Sequence, residues 1–370
     1  MSPRHIHLLG LGVAAPPASL DQETAIALAQ DRCANTSRQR AWIRRLYRHT
    51  GIQQRGSVLL GEMPASNSPM AGFEAFYPPA TTAEDRGPGT AMRLARYEAE
   101  AIGLGESACR RALEEAGTAV DEITHLVTVS CTGMVAPGLD AALIQRLGLP
   151  RDLGRLSLGF MGCHGALNGL RAASGLAQDH PRARVLVCCV ELCSLHFQYG
   201  FDTQKVLANG LFADGAAATV IGPAGEQARE WRLVDTQSHL SEGTGEAMTW
   251  RIGDHGFEMT LSSEVPRQIR SSLHQWTEQW LASHDLTIAD IRHWAIHPGG
   301  PDILRAAREA LSLPDSATEA SSQVLAEHGN MSSPTVLFIL ERLRRDTIEG
   351  PCVVMGFGPG LSLEAALIDC

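Results

Sequence analysis

Arg184-Val185-Leu186-Val187-Cys188-Cys189-Val190-Glu191 is a continuous apolar run with no alternation of polar and apolar positions. A strand that is apolar on both faces belongs in the middle of a sheet covered above and below, so helices must flank it. The rest of the chain alternates to match. Strands are predicted over 5–13, 123–130, 155–158, 219–221, 231–237, 292–297, 352–355 and 363–368. Helices are predicted over 22–32, 37–49, 90–116, 139–147, 167–178, 266–283, 301–311 and a segment ending at Arg345. Asp21 is placed to cap the first helix. Residues 57–89, rich in Pro, Gly, Ser and Ala, read as a long surface loop. Leu211 to Ala218 and 356–360 read as turns with small residues. Composition becomes polar around 223–230, which divides the chain into halves at 1–225 and 226–370. The expectation is an α/β fold of two similar layers packed together.

A net charge of −10 argues against nucleic acid or an anionic membrane as a main partner. No apolar run is long enough to span a membrane. The start, Ile6 to Pro17, could pass for a weak signal peptide but suits a first buried strand better. Nine cysteines, an odd number without a CxxC pair, fit a reduced, cytoplasmic setting. No HExxH or Cys/His spacing suggests a metal, so none is expected.

Chemistry concentrates where glycine frames a reactive side chain at an element end. Gly159-Phe160-Met161-Gly162-Cys163-His164-Gly165-Ala166 lies between a strand and a helix. A thiol at a helix start tends toward thiolate, whereas most free cysteines are plain core. His297 closes a strand before Pro298-Gly299-Gly300, and Asn330 precedes a helix; each could be structural alone. Together, Cys163, His297 and Asn330 fit two chemistries. One is papain-like proteolysis, whose local signature is absent; the other, favoured here, is thioester condensation. Arg40, Arg44 and Arg48 share a helix face, either solvated or cradling the phosphates of a nucleotide-bearing cofactor such as coenzyme A.

The motifs Gly159-Phe160-Met161-Gly162-Cys163, Leu211-Phe212-Ala213-Asp214-Gly215, His297-Pro298-Gly299-Gly300-Pro301, Gly329-Asn330-Met331-Ser332-Ser333 and Gly356-Phe357-Gly358-Pro359-Gly360-Leu361 occur in that order. In this the chain resembles the type III polyketide synthases, the chalcone synthase-like branch of the thiolase-fold condensing enzymes. The resemblance covers all but the first 85 or so residues well. It implies a thiolase-like fold of duplicated αβαβα layers and a homodimer. It implies no permanently bound cofactor, and acyl-CoA and malonyl-CoA as substrates. Cys163 would take the starter acyl group, and His297 would hold the thiolate as an ion pair. His297 and Asn330 would then stabilise the enolate formed by decarboxylation. Phe212 matches one of two gate phenylalanines. Met259 stands at the second, where Phe257, two residues away, could substitute.

Cys131, Cys193 and His196 replace threonines common in the plant enzymes, and Ser332 matches the family serine. Ala136 stands where the plant enzymes place a methionine that reaches across the dimer. Arg45, with Arg44 and Arg48, matches the CoA-binding helix. Gly299, Gly300 and 356–360 would shape cavity walls. These departures resemble a bacterial subgroup that takes fatty acyl starters and makes alkylpyrones or alkylresorcinols. Two other readings stand beside this one. The first is a ketoacyl synthase III-like enzyme using an acyl carrier protein, whose His and Asn neighbours differ from these. The second is a non-catalytic thiolase-fold partner subunit, which would lack the nucleophile or the histidine.

Overall fold

The computed structural model describes residues 4–61, 68, 70–82, 84–224 and 231–370. The first half runs β1 (Ile6–Ala14), β2 (Ser19–Asp21), α1 (Gln22–Cys33), α2 (Ser37–His49), β3 (Gln54–Gly56), α3 (Ala71–Phe76) and α4 (Thr90–Ala116). It continues with β4 (His125–Ser130), α5 (Leu139–Leu147), β5 (Gly154–Gly159), α6 (Gly165–Gln178), β6 (Val185–Leu192), α7 (Thr203–Leu211) and β7 (Asp214–Pro223). The second half runs β8 (Trp231–Leu240), β9 (Met248–Gly253), β10 (Gly256–Leu261), α8 (Val265–Ala282), β11 (His293–Ile296) and α9 (Pro301–Leu311). It ends with α10 (Glu319–His328), α11 (Thr335–Arg345), β12 (Pro351–Gly358) and β13 (Ser362–Asp369).

Local chemistry sets several of these limits. The Asp21 carboxylate accepts from the Thr24 N–H at 2.8 Å and starts α1. Thr36 and Gln39 form a reciprocal capping box at the start of α2. Gly117, with φ +57°, ends α4 in the left-handed conformation.

The duplication is written into strand order. The strands lie in the sequence β11-β12-β13-β8-β1-β7-β6-β4-β5. On one side of the junction, β1 is antiparallel to β7, β7 to β6, and β6 is parallel to β4. On the other, β8 is antiparallel to β13, β13 to β12, and β12 is parallel to β11. The same path is therefore traced twice. The halves join where Ile6–Leu8 pairs antiparallel with Trp231–Leu233.

Layering follows from which faces are apolar. Leu167, Leu170 and Ala173 of α6 and Leu337, Ile339 and Leu340 of α11 share a central core with strands of both halves. Helices α4 and α5 cover the outer face of the first half. Helices α8 and α9 cover the outer face of the second. This is the αβαβα arrangement, with α6 and α11 as its middle layer. No described helix is long and apolar enough to cross a membrane.

Helix α4 lies directly on β1. A Cβ on Gly10 would stand 2.3 Å from the Ala112 carbonyl oxygen, and one on Gly12 would stand 2.3 Å from that of Ala108. Backbone cannot yield as a side-chain tip can. Gly10→Ala is therefore expected to destabilise the protein by about 3 kcal/mol, read as a lower urea midpoint at unchanged slope. An unchanged midpoint would show that the helix can lift off the strand freely.

Several sequence expectations need correction. Residues 57–89 are not only surface loop: they contain α3, and Leu59, Phe73 and Tyr77 are buried in the first-half core. Their aromatic rings supply apolar area that a Pro- and Gly-rich composition hides. The turn expected over 211–218 is mostly strand, because β7 already starts at Asp214. Its run of alanines is required by packing between layers, not by a turn. Residues 356–358 continue β12. Helices α7 and α10 and the β9–β10 hairpin were not anticipated. The expected division near 225 falls at 225–230, outside the described residues.

Candidate active site

Cys163 sits in a short 3-10 turn, Gly162–His164, between β5 and α6, and is buried. The turn needs glycine before the cysteine. Gly162 has φ +74°, and a Cβ there would meet Pro359 Cδ at 2.4 Å. Phe160 (φ 59°) and Ser332 (φ 56°) also adopt left-handed conformations beside the site, where such strain is commonly concentrated.

Asn330 is anchored through its backbone. Its N–H donates to the Leu211 carbonyl at 2.9 Å, and its own carbonyl accepts from Ala213 N–H at 2.9 Å. This ties the segment that carries Asn330 to the one that carries Phe212. The Ser332 N–H donates to Asn330 Oδ1 at 2.8 Å. With Oδ1 occupied, the amide NH2 end is left to donate. Asn330 Oδ1 lies 4.0 Å from Cys163 Sγ.

His297 follows β11, and its backbone N–H donates to Met355 at 2.8 Å. Neither ring nitrogen has a hydrogen-bond partner among the described residues, although the side chain is only 1% exposed. A buried polar ring without partners is costly unless something else occupies its neighbourhood in use. Burial pushes the imidazole pKa down to about 3, with neighbouring His164 adding to the effect. Burial also pushes the Cys163 thiol up to about 11, opposed by hydrogen bonding from Ser332. Each shift favours the neutral form of its own group in the free site.

Three adjoining cavities organise these groups. Cys163, His297 and Asn330 line one small chamber. Outward, Leu211, Leu261, Gly299 and Ile303 are shared with a mouth lined also by Trp42, His49 and Pro301. The exposed His49 and Asp302 side chains approach to 3.4 Å at that mouth. Inward, Cys163, Phe212, Met248 and Met259 are shared with a larger, mainly apolar cavity. Phe212 and Met259 thus stand where the chamber meets the main cavity. Phe257 and Met259 lie on one face of β10, and both line the main cavity.

Cys131, Cys193, His196 and Ser332 line the main cavity as well. Cys131 Sγ accepts from the Gly162 N–H at 3.1 Å, beside the nucleophile candidate. His196 is fully engaged. Its Nδ1 accepts from Phe257 N–H at 2.9 Å, its Nε2 donates to the Thr132 carbonyl at 2.8 Å, and its ring stacks on Phe257 at 4.3 Å. Burial lowers its pKa to about 3, so it is a neutral wall. The three arginines separate. Arg45 lines a shallow cleft with Arg38 and Trp42. Arg48 pairs with Glu23 at 3.0 Å, and Arg44 is exposed and lines none of these cavities.

Sequence reasoning missed Glu191. Its carboxylate accepts from Cys131 N–H (2.9 Å), the Thr132 hydroxyl (2.8 Å) and the Ser333 hydroxyl (2.8 Å). It therefore ties the Cys131 and Ser333 segments together beneath the chamber. Burial raises its pKa to about 7 against those donors. The available signal was a lone carboxylate closing an otherwise apolar strand. Trp250, which donates to the Cys131 carbonyl at 2.8 Å and lines the main cavity, was also missed.

Comparison with known proteins agrees with this architecture. Family models described as the N-terminal and C-terminal domains of chalcone and stilbene synthases match residues 3–225 and 232–370. The chain is 34% identical over 361 residues to a 1,3,6,8-tetrahydroxynaphthalene synthase of Streptomyces peucetius subsp. caesius, covering 96% of this chain and 90% of that protein. It is 33% identical over 307 residues to the alpha-pyrone synthesis polyketide synthase-like Pks18 of Mycobacterium tuberculosis, covering 81% of this chain and 76% of that protein. Among solved structures, PKS-I from the brown alga Ectocarpus siliculosus superposes with a TM-score of 0.92 at 30% identity, over 100% of this chain and 99% of that one.

Proposed function

The chain belongs to the chalcone and stilbene synthase family of type III polyketide synthases, and from that premise we propose the following roles and steps. Acyl-CoA enters by the mouth, and Cys163 attacks its thioester carbonyl. His297 accepts the thiol proton and CoA leaves as the thiol, which gives an acyl-cysteine. Malonyl-CoA then binds in the chamber. Its carboxylate leaves as CO2, and the electron pair of the broken C–C bond becomes a thioester enolate. The amide NH2 of Asn330 and the His297 ring donate to that oxygen, a contribution on the order of 3 kcal/mol per donor in water-poor sites. The enolate carbon attacks the acyl-cysteine carbonyl, a C–C bond forms, and the Cys163 thiolate is released. Extended chains fold and cyclise in the main cavity, with Phe212 and Met259 at the passage. Ser332, Cys131, Cys193 and His196 shape that cavity. Arg45 is the arginine of α2 we assign to the CoA phosphates, because it lines a cleft that shares Trp42 with the mouth, whereas Arg48 is paired with Glu23 and Arg44 lines none of these cavities.

The observation that carries this reading is the convergence of Cys163, His297 and Asn330 on one chamber between a mouth and a cavity. The test is incubation with malonyl-CoA and a panel of short, aromatic and long-chain acyl-CoAs, with product mass analysis. Extension and ring closure are expected without carrier protein, giving a pyrone, resorcinol or naphthalene-type product. A strict requirement for acyl carrier protein would overturn the CoA-fed reading.

A homodimer is also proposed. Strand β5 is one edge of the sheet and is largely exposed, and Leu156 in it and Met161, Met134 and Val135 in the loops that follow β5 and β4 are exposed as well. An unpaired, apolar edge of this kind suits pairing with a second copy. Ala136 lies within that region. All nine cysteines are unpaired, which suits a reducing cytoplasm. The two halves at 1–225 and 226–370 are taken as the domains.

A further inference from the structure

The main cavity does not stop at the thiol. It is also lined by Leu20, Leu28 and Phe73, and by Tyr47 of α2 and Arg55 of β3. These last two are polar groups in an apolar wall. Tyr47 is 1% exposed and Arg55 5%. The Tyr47 hydroxyl and Arg55 Nε are buried without a hydrogen-bond partner among the described residues. The Arg55 guanidinium lies over the Tyr47 ring, 5.4 Å from its centroid, so the two unsatisfied groups belong to one corner.

Arg55 is held in place but not neutralised. Its Nη1 donates to the carbonyls of Asn209 (3.1 Å) and Gly210 (2.8 Å), and its Nη2 to Gln22 Oε1. Among the described residues, no carboxylate pairs with it. Asp214, which meets the chain just after Arg55, is already committed: it accepts from Ser194 N–H, the Ser194 hydroxyl and Val58 N–H. A buried guanidinium without a counter-ion is costly, and an anion that accepts from its free N–H removes that cost. A carboxylate can take hydrogen bonds from Arg55 Nε and the Tyr47 hydroxyl together while supplying the missing charge.

We propose that the Tyr47–Arg55 corner binds a carboxylate at the far end of the starter acyl chain, so that ω-carboxy acyl thioesters are a preferred starter class. The apolar stretch along Leu20, Leu28 and Phe73 receives the methylenes between the two ends. The inference rests on the reading of the chain as a CoA-fed condensing enzyme.

The test uses the full-length protein, saturating malonyl-CoA, and straight-chain acyl-CoAs of increasing length, each paired with its ω-carboxy counterpart. At the length that reaches the corner, kcat/KM for the ω-carboxy member should exceed that of the plain one about tenfold or more, the usual scale for a charge-assisted hydrogen bond. Tyr47→Phe removes only the hydroxyl and should lower that ratio about tenfold, mainly through KM. Arg55→Gln should lower it further; because Arg55 also ties backbone carbonyls, Tyr47→Phe decides the matter if that variant does not fold. The corner is ruled out if no length shows a preference, or if Tyr47→Phe leaves the ratio unchanged. Calorimetric binding of the same pairs to Cys163→Ala protein separates the two readings. Selective binding without extension by the wild type sinks the condensing reading and supports the corner; extension without selectivity sinks the corner alone.

Discussion

Cys163→Ala protein is expected to make no product from any acyl-CoA, with turnover falling by a factor on the order of 10³ or more. Intact-protein mass spectrometry is the sharper reading. Wild type incubated with acyl-CoA should gain the mass of one acyl group, and the variant none. Cys163 is one of several thiols in this region, since Cys131 and Cys193 line the same cavity. If Cys163→Ala still acylated and still condensed, a neighbouring thiol would have to be the nucleophile. Burial makes that hard, because the Cys131 and Cys193 thiols are held well above the usual cysteine range, with Glu191 reinforcing the effect.

His297→Ala is expected to lower condensation by roughly 10²–10³, the scale for loss of one donor to a developing oxyanion. The two buried shifts make a second, independent prediction. With burial pushing the thiol up to about 11 and the imidazole down to about 3, the neutral forms are favoured in the free site. A raised thiol pKa means less thiolate at neutral pH and more as pH rises. Alkylation of wild-type Cys163 by iodoacetamide should therefore quicken about tenfold per pH unit between roughly pH 8 and 10. His297→Ala should leave that slope in place. A wild-type rate already level below neutral pH would mean that an imidazolium holds the thiolate before substrate arrives, and the neutral-pair description would fall. The alkylation profile thus decides between the ion pair that the sequence resemblance implies and a proton transfer coupled to attack.

Much of the fold could be read from the chain because its period is clean. The all-apolar run ending at Glu191 became the fully buried β6, and the boundaries expected for α4, α5 and α9 match the structure. The site was legible for a related reason: Cys163, His297 and Asn330 each stand at an element end, beside glycines that the tight turns require. What stayed hidden depends on distant contacts. Nothing local marks Phe73 or Tyr77 as core, because their partners lie near Phe197 and Tyr199. Glu191 looks like an ordinary strand end until Thr132 and Ser333 close around it. Tyr47 and Arg55 carry no local mark of burial, since Tyr47 stands among the arginines of α2 and Arg55 in a short polar stretch. Only the packing of α1, α2 and α7 turns them inward.

That packing has a practical consequence. Helices α1, α2 and α7 form a small core of their own, with Ile26, Ala29, Ile43 and Val206 at its centre, and none of their residues belongs to the nine-stranded sheet. This small core is joined to the reacting groups through the end of α7, where the Leu211 carbonyl accepts the Asn330 N–H. Of the corner's walls, Tyr47 belongs to this small core, whereas Leu28 and Phe73 are packed into the first-half core with strands of the sheet. A protein engineer seeking new starters would therefore begin at Tyr47, whose packing lies outside the doubled framework that aligns Cys163 with His297 and Asn330.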